Sequence, residues 1–462
     1  MKTKRIAFAI LILMLIACNF VTQMIVPPTI TPTVTATFTP AITSTPVASQ
    51  FVPAYIPSQC ANKALATIAP DIEHVQPALS VEANPPISQV DQLRVFLDIT
   101  RDVERVYVYP DFNGKDWQAI KAKYRSKIQA GLDTEAFYQE MQAMIAELGD
   151  DHSAYLSPVE VQADDAELKG QNKYVGVGIL GDYDVNKQSF IVISTFHGSS
   201  ADHAGIKSHD SIIQVDGLPI TEEPGNRLRG PECSAVSVKV QSPGEAPRDL
   251  MLMRYQVNGN ETVDARLVST TDGSKIGYIF IPTFFDETIP PQVKDALNHF
   301  GPLDGLILDV RTNTGGSSDV LYPILEYFTH GRLGQFVSRS KSRPLEIQAN
   351  EIQNSQSVPL IVMVSKGTVS FGEIFAGIMQ DSGRAKIVGE TSLGNVEVLS
   401  GFDFVDGSLM WLAAETFHSA FSNANWEQTG IVPDVQAFAP WDTFVFDTDP
   451  SIKAAVELLG HK

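Results

Sequence analysis

Between residues 277 and 379 the chain alternates short, uninterrupted apolar runs with stretches patterned for helices, and this alternation limits the fold more than any other feature. Residues 277–281, 305–310 and 360–364 read as strands, and 291–300, 318–328 and 371–379 as the helices between and after them. Strands and helices taken in turn predict an α/β layer architecture.

Two different textures precede it. Val95, Ile99, Val103 and Val106 fall at helical spacing, as do Phe137, Met141, Met144, Ile145 and Leu148. This helical portion, placed at 90–165, closes at Gly149-Asp150-Asp151-His152, a cap-like break. From Tyr174 the pattern turns to β. Val175-Gly176-Val177-Gly178-Ile179 is a glycine-punctuated apolar run, Ser199 to Ile206 reads as a short helix with a glycine stop, and residues 210–217 form a strand ending in an Asp-Gly turn. Residues 236–240 and 250–254 alternate as strands should.

The Gly-Val-Gly-Ile loop, the Ala204-Gly205-Ile206 turn, the strand before Asp216-Gly217 and the later Leu228-Arg229-Gly230-Pro231 together resemble a PDZ domain, placed at 170–262. Cys233 stands where that family often has glycine. The physics suits peptide ends. Successive N–H groups over Val175, Gly176, Val177, Gly178 and Ile179 can cradle a carboxylate, and a neighbouring edge strand can accept an extended peptide.

The N-terminus carries its own signals. Met1 to Arg5 is basic, and residues 6–17 are apolar but too few to span a bilayer, which suits a signal-peptide core. Leu15-Ile16-Ala17-Cys18 resembles a bacterial lipobox, in which Cys18 becomes the lipidated first residue. Residues 1–18 are therefore taken as a lipoprotein signal. Thr and Pro make up 13 of the 20 residues at 27–46, so 19–58 reads as an extended stalk. At about 3.1 Å per residue such a stalk reaches on the order of 100 Å. These features predict an extracytoplasmic, lipid-anchored head.

Composition narrows the partners. A net charge of −20 argues against nucleic acid and against anionic lipid as binding partners. The three cysteines, Cys18, Cys60 and Cys233, form no Cys/His cluster, so no zinc site is expected, and neither is an organic cofactor. In an oxidising compartment Cys60 and Cys233 are either paired or free.

Three features of the α/β region carry chemistry. Asp309-Val310-Arg311-Thr312-Asn313-Thr314-Gly315-Gly316 runs from a strand into a turn whose N–H groups suit an oxyanion hole. Ser370, in Ser365-Lys366-Gly367-Thr368-Val369-Ser370-Phe371-Gly372-Glu373, falls where a helix starts, a place for a nucleophile or for an ordinary N-cap. Glu427 lies in a polar turn before Gly430-Ile431-Val432-Pro433-Asp434.

In this order, after a PDZ-like region, these features resemble the carboxyl-terminal-processing (tail-specific) peptidases of family S41 and their tricorn-type relatives. The resemblance implies an N-terminal helical segment, a PDZ domain and a crotonase/ClpP-like α/β catalytic domain, here 270–440, with 441–462 left as a C-terminal helix or tail. The Asp-x-Arg-x-Asn-x-Gly-Gly turn and the spacing from Ser370 to Asp381 both match. The tail-specific branch has a general-base lysine where this chain has Asn395, and an amide cannot take a proton; neither Lys366 nor Lys386 matches that position. The tricorn-like branch uses His and Glu, at positions matched by His152 and Glu427, although Asp151 replaces a serine of that branch's tetrad.

The implied triad is Ser370, His152 and Glu427, with Gly315, Gly316 and Phe371 supplying the oxyanion hole. A histidine base works near or above neutral pH and fails in acid. The expected activity is serine endopeptidase cleavage of proteins or peptides, with C-termini recognised by the PDZ domain. The lost lysine leaves an alternative: an inactive relative that binds peptides or lipophilic ligands.

Overall fold

The computed structural model describes residues 53–61, 66–67, 83–162, 173–222, 227–259 and 261–461. The signal segment, Cys18 and the Thr/Pro-rich stretch lie outside the described residues.

Three helices form the first module: Gln89–Val106, Trp117–Ala130 and Thr134–Ala146. Each begins at a side-chain cap. Ser88 accepts from Asp91 N, Asp116 from Ala119 N and Asp133 from Ala136 N, satisfying donors that a helix start leaves open. Val95, Ile99 and Val103 bury one face against Trp117, Tyr124, Phe137 and Met141. The same core takes in Met410, Leu412 and Ala413 from the strand Leu409–Ser419, so this module shares its interior with the α/β region.

The PDZ module is a mostly antiparallel sheet with the strands Ser189–Thr195, Ser211–Val215 and Ser234–Gln241 at its centre. Val236, Val238 and Val240 alternate inward and, with Val192, Ile212 and Val215, build its core. Ile179–Asp184 is the edge strand, directly after the glycine loop.

Residues 53–60 pack on this module, although 19–58 reads from sequence as a free stalk. Pro53 is buried, Tyr55 stacks on His203 at 3.8 Å, and Cys60 is joined to Cys233 in a disulfide. A Thr/Pro bias upstream hides this docking, because the contacts that hold it are 140 residues or more away in sequence, as Tyr55 to His203 shows.

The α/β module holds a six-stranded sheet in the order Asp264–Val268, Ile276–Phe280, Gly305–Asp309, Leu360–Val364, Lys386–Gly389, Val435–Gln436. All pairs after the first are parallel. Both faces are covered, which explains the uninterrupted apolar runs. Helices Ile289–Phe300, Ser318–Phe328 and Phe371–Asp381 cover one face. The other is covered by Pro450–Leu458, whose Ile452, Ala455 and Val456 meet Tyr278, Ile307 and Met363. The segment expected as a C-terminal helix or tail thus holds a helix, and that helix is a layer of the core.

Residues 441–449 also bridge modules. Trp441 Nε1 donates to Val192 O at 3.1 Å, and His209 Nδ1 donates to Trp441 O at 2.7 Å. The Trp441 ring lies 4.8 Å from the guanidinium of Arg311, which is buried between Asp309 (2.6 Å) and Asp449 (2.7 Å). A second sheet, Ser342–Ile347, Gly331–Val337, Leu409–Ser419 and Val398–Asp403, receives the short strand Ala154–Leu156 alongside Leu409–Trp411. That pairing carries the preceding loop, with His152, to the α/β module.

Candidate active site

Strand Leu360–Val364 ends in a loop that delivers Ser370 to the first position before helix Phe371–Asp381. An ordinary N-cap would have its hydroxyl on the helix N–H groups, but Ser370 makes no side-chain cap bond. Its φ of 54° and ψ of −122° place it where residues other than glycine rarely sit, at a cost of about 1–3 kcal/mol. A helix-start serine held in strain, with its hydroxyl uncommitted among the described residues, has the geometry of a nucleophile elbow.

The Asp309–Gly316 turn lies against it. Val369 N donates to Asn313 O at 3.0 Å, and a Cβ on Gly315 would fall 2.7 Å from Ser370 Cβ and 3.1 Å from Phe371 N. Only glycine fits there, and its φ of 101° makes the same demand. The three expected oxyanion donors are not equivalent. Gly315 N–H is already given to Asn313 Oδ1 at 2.9 Å. Gly316 and Phe371 N–H have no hydrogen-bond partner among the described residues. Turn sequences do not reveal this, because the asparagine two residues earlier closes the turn on itself.

His152 is set by its own loop. Asp150 accepts from His152 N (3.0 Å) and Ser153 N (2.8 Å), while Asp151 adopts a φ of 60°. His152 and Ser370 make no hydrogen bond with each other in this structure. They are joined instead through Asn395-Val396-Glu397. Asn395 O accepts from Ser370 N at 2.9 Å, and Asn395 Nδ2 donates to Asp151 O at 3.5 Å. Val396 N donates to Glu427 Oε2 at 2.7 Å, and Glu397 Oε2 lies 3.7 Å from His152 Nδ1.

The carboxylate beside His152 is therefore Glu397, and Glu427, the sequence candidate, stands one place further out. Tyr109 OH donates to Glu397 Oε1 at 2.6 Å. Burial, with the adjacent Glu397 carboxylate, pushes the Glu427 carboxyl up to about 9. Burial also opposes charge on Glu397, but the neighbouring His152 and Glu427 and the hydrogen bond from Tyr109 outweigh it and hold this group below the usual carboxylate range. The family motif points to the turn before Gly-x-x-Pro-Asp and so to Glu427, and it does not mark Glu397. The available signal was a glutamate between two valines, Val396 and Val398, a charged residue in an apolar run.

Glu373, fully buried, was also missed. It accepts from Ser392 Oγ (2.6 Å), Gly394 N (2.6 Å) and Asn395 N (2.8 Å), and so fastens the serine-bearing helix to the 392–395 loop. The two lysines set aside from sequence face solvent in ion pairs, Lys366 with Glu390 at 3.0 Å and Lys386 with Asp434 at 2.9 Å. Among the described residues no cluster of His, Cys, Asp or Glu has the arrangement of a metal site.

In the PDZ module, Val177 O accepts from Ala201 N (3.0 Å) and Gly178 O from Phe196 N (3.1 Å). Both carbonyls are thus occupied, while the N–H groups of Val177 and Gly178 have no partner among the described residues. A side chain on Gly178 would strike Ser199 Cβ at 2.1 Å. Val175 and Gly176 end the strand Lys173–Gly176, and Ile179 starts the edge strand.

Comparison with known proteins agrees with this architecture. Residues 275–437 match the family model for peptidase family S41, 92–146 that for the tricorn protease C1 domain, and 165–224 that for the PDZ domain. The chain is 27% identical over 380 residues to a carboxyl-terminal-processing protease of Synechocystis sp., covering 80% of this chain and 87% of that protein. It is 29% identical over 394 residues to a protein of the same name from Picosynechococcus sp., covering 81% and 90%. Among solved structures it resembles the photosystem II D1 C-terminal processing protease, with a TM-score of 0.54, 26% identity, and coverage of 78% of this chain and 98% of that one.

Proposed function

We propose that this chain, whose residues 275–437 match the model of peptidase family S41 and which carries a PDZ domain, is an extracytoplasmic, lipid-anchored serine endopeptidase with Ser370 as nucleophile and His152 as general base. The observation that carries the reading is Ser370 itself, strained and uncapping at the start of a helix.

In the reaction Ser370 Oγ attacks the scissile carbonyl carbon as His152 takes its proton. The developing oxyanion is held by Phe371 N–H and Gly316 N–H, each such donor being worth about 3–4 kcal/mol. His152 then returns the proton to the leaving amine, and water hydrolyses the acyl-enzyme by the reverse sequence. The open Ser370–His152 contact suits a site that closes on substrate, since catalytic hydrogen bonds are often loose before binding. The carboxyl-terminal-processing names of the relatives support substrates engaged by their C-termini. The free N–H groups of Val177 and Gly178, beside the edge strand Ile179–Asp184, suit such an end.

An oxidising location is supported by the Cys60–Cys233 disulfide, and anchoring by the lipobox-like Leu15-Ile16-Ala17-Cys18. Among the described residues no helix is long and apolar enough to cross a membrane. The test is labelling of the full chain by a fluorophosphonate probe beside Ser370→Ala and His152→Ala. Label on the parent and on neither variant is expected. A folded parent that takes no label near pH 8 would favour a peptide-binding role, and label surviving in His152→Ala would place the base elsewhere.

A further inference from the structure

We infer that Glu397, a residue outside the triad read from the sequence, is the positioning residue that orients His152, and that Glu427, held one place further out by Val396 N–H, is not. The inference rests on the Ser370–His152 reading for its catalytic meaning, but its geometry stands apart from that reading.

Two buried atoms face each other without partners: His152 Nδ1 and Glu397 Oε2, 3.7 Å apart. Polar atoms buried in this way are normally paired. A closure of less than 1 Å would bring them to hydrogen-bond distance and satisfy both. The bond would fix the proton on Nδ1, leaving Nε2 as the nitrogen to receive the Ser370 proton. Glu397 is held for this task from its other side. Tyr109 OH grips Oε1 at 2.6 Å, and Tyr109 follows Val108, whose N–H is bonded to Ala413 O at 2.9 Å.

Glu427 cannot share the role on equal terms. Two adjacent carboxyl groups in a buried site do not both ionise. Glu397 faces two donors, Tyr109 and His152, whereas the donor on Glu427 is the N–H of Val396. The charge therefore settles on Glu397 and the shared proton on Glu427, in agreement with the opposite directions in which the two groups are shifted. The other charged groups acting around the pair are Asp150, Asp151 and Glu373, with the phenols Tyr107 and Tyr109. The carboxylates among these oppose a second negative charge, while Tyr109 donates to the one on Glu397.

The test uses the full chain with 15N-labelled histidine, as parent, Glu397→Gln and Glu427→Gln. A downfield Nδ1–H resonance of His152 is expected in the parent and in Glu427→Gln, whose amide oxygen can still accept from Val396 N–H. It is expected to vanish in Glu397→Gln. In parallel, the rate of Ser370 labelling should fall about 10²–10⁴-fold in Glu397→Gln, with an altered acid limb, and stay within about tenfold of the parent in Glu427→Gln. A resonance that survives in Glu397→Gln, or is lost in Glu427→Gln, overturns the assignment. If Glu397→Gln does not fold, Glu397→Asp decides: the charge persists but is one methylene short, so labelling should fall while Glu427→Gln stays active. A parent that shows the resonance but takes no label would defeat the hydrolase reading and leave the role of Glu397 intact.

Discussion

Replacing Arg311 by methionine isolates what the buried ion cluster contributes. Arg311 is 6% exposed and lies between Asp309 and Asp449, which are 0% and 2% exposed. Removing one partner of a buried ion pair costs about 3–5 kcal/mol, because the remaining charge is left uncompensated. Here neutral donors remain. Tyr278 OH still bonds Asp309 at 2.7 Å, and Ser451 N still bonds Asp449 at 2.8 Å. The loss therefore belongs near the lower end of that range, while the lost contacts to the Trp441 and Phe444 rings, at 4.8 and 5.7 Å, add about 1 kcal/mol. A total near 4 kcal/mol corresponds to a fall of about 8–16 °C in Tm for a cooperative unit of this size. Heat melts followed by near-UV circular dichroism would read it. Adding Asp309→Asn and Asp449→Asn to Arg311→Met should recover at least half of the loss, since no buried charge then remains. An Arg311→Met protein melting within about 2 °C of the parent would refute the reasoning.

Three further outcomes are expected. Gly315→Ala should fold with a loss of about 1–3 kcal/mol, from its φ of 101°, yet lose fluorophosphonate labelling by more than about a hundredfold, because the new methyl falls 2.7 Å from Ser370 Cβ. Replacing both Cys60 and Cys233 by serine should cost about 2–5 kcal/mol in urea unfolding, with the parent falling to the same level under reductant. Glu427 is raised to about 9 from 4.5, so the folded chain keeps a proton that the unfolded chain has released between those values; its stabilising contribution is complete below about 4.5 and lost as pH rises towards 9. Glu427→Gln should therefore gain stability on the parent as pH rises from 5 to 8, by at most about 1.4 kcal/mol per unit, and a constant difference across that window would contradict the raised carboxyl.

The legible parts of the fold were those with local periodicity. Val95, Ile99 and Val103 announce a buried helix face wherever the helix docks, and 360–364 is apolar throughout because both of its faces are covered. What stayed hidden depends on distant partners. Nothing near residues 53–58 in sequence shows that Tyr55 will meet His203, nor that Trp441 will seat between Val192 and Arg311. The site divides in the same way. Ser370 was found because strand, turn and helix follow one another, whereas Glu397 was missed because its partners, Tyr109 and His152, come from a module folded hundreds of residues earlier.

The disulfide makes part of this chain a closed covalent ring. It runs from Cys60 to Cys233, 173 positions apart, and takes in all three N-terminal helices and the His152 loop. A single cut anywhere on that arc, whether by another protease or by a second copy of this one, sheds nothing. The two pieces stay linked, and His152 stays attached to the half that bears Ser370. Such a nick would be silent on a non-reducing gel and would yield two bands once the sulfurs are reduced.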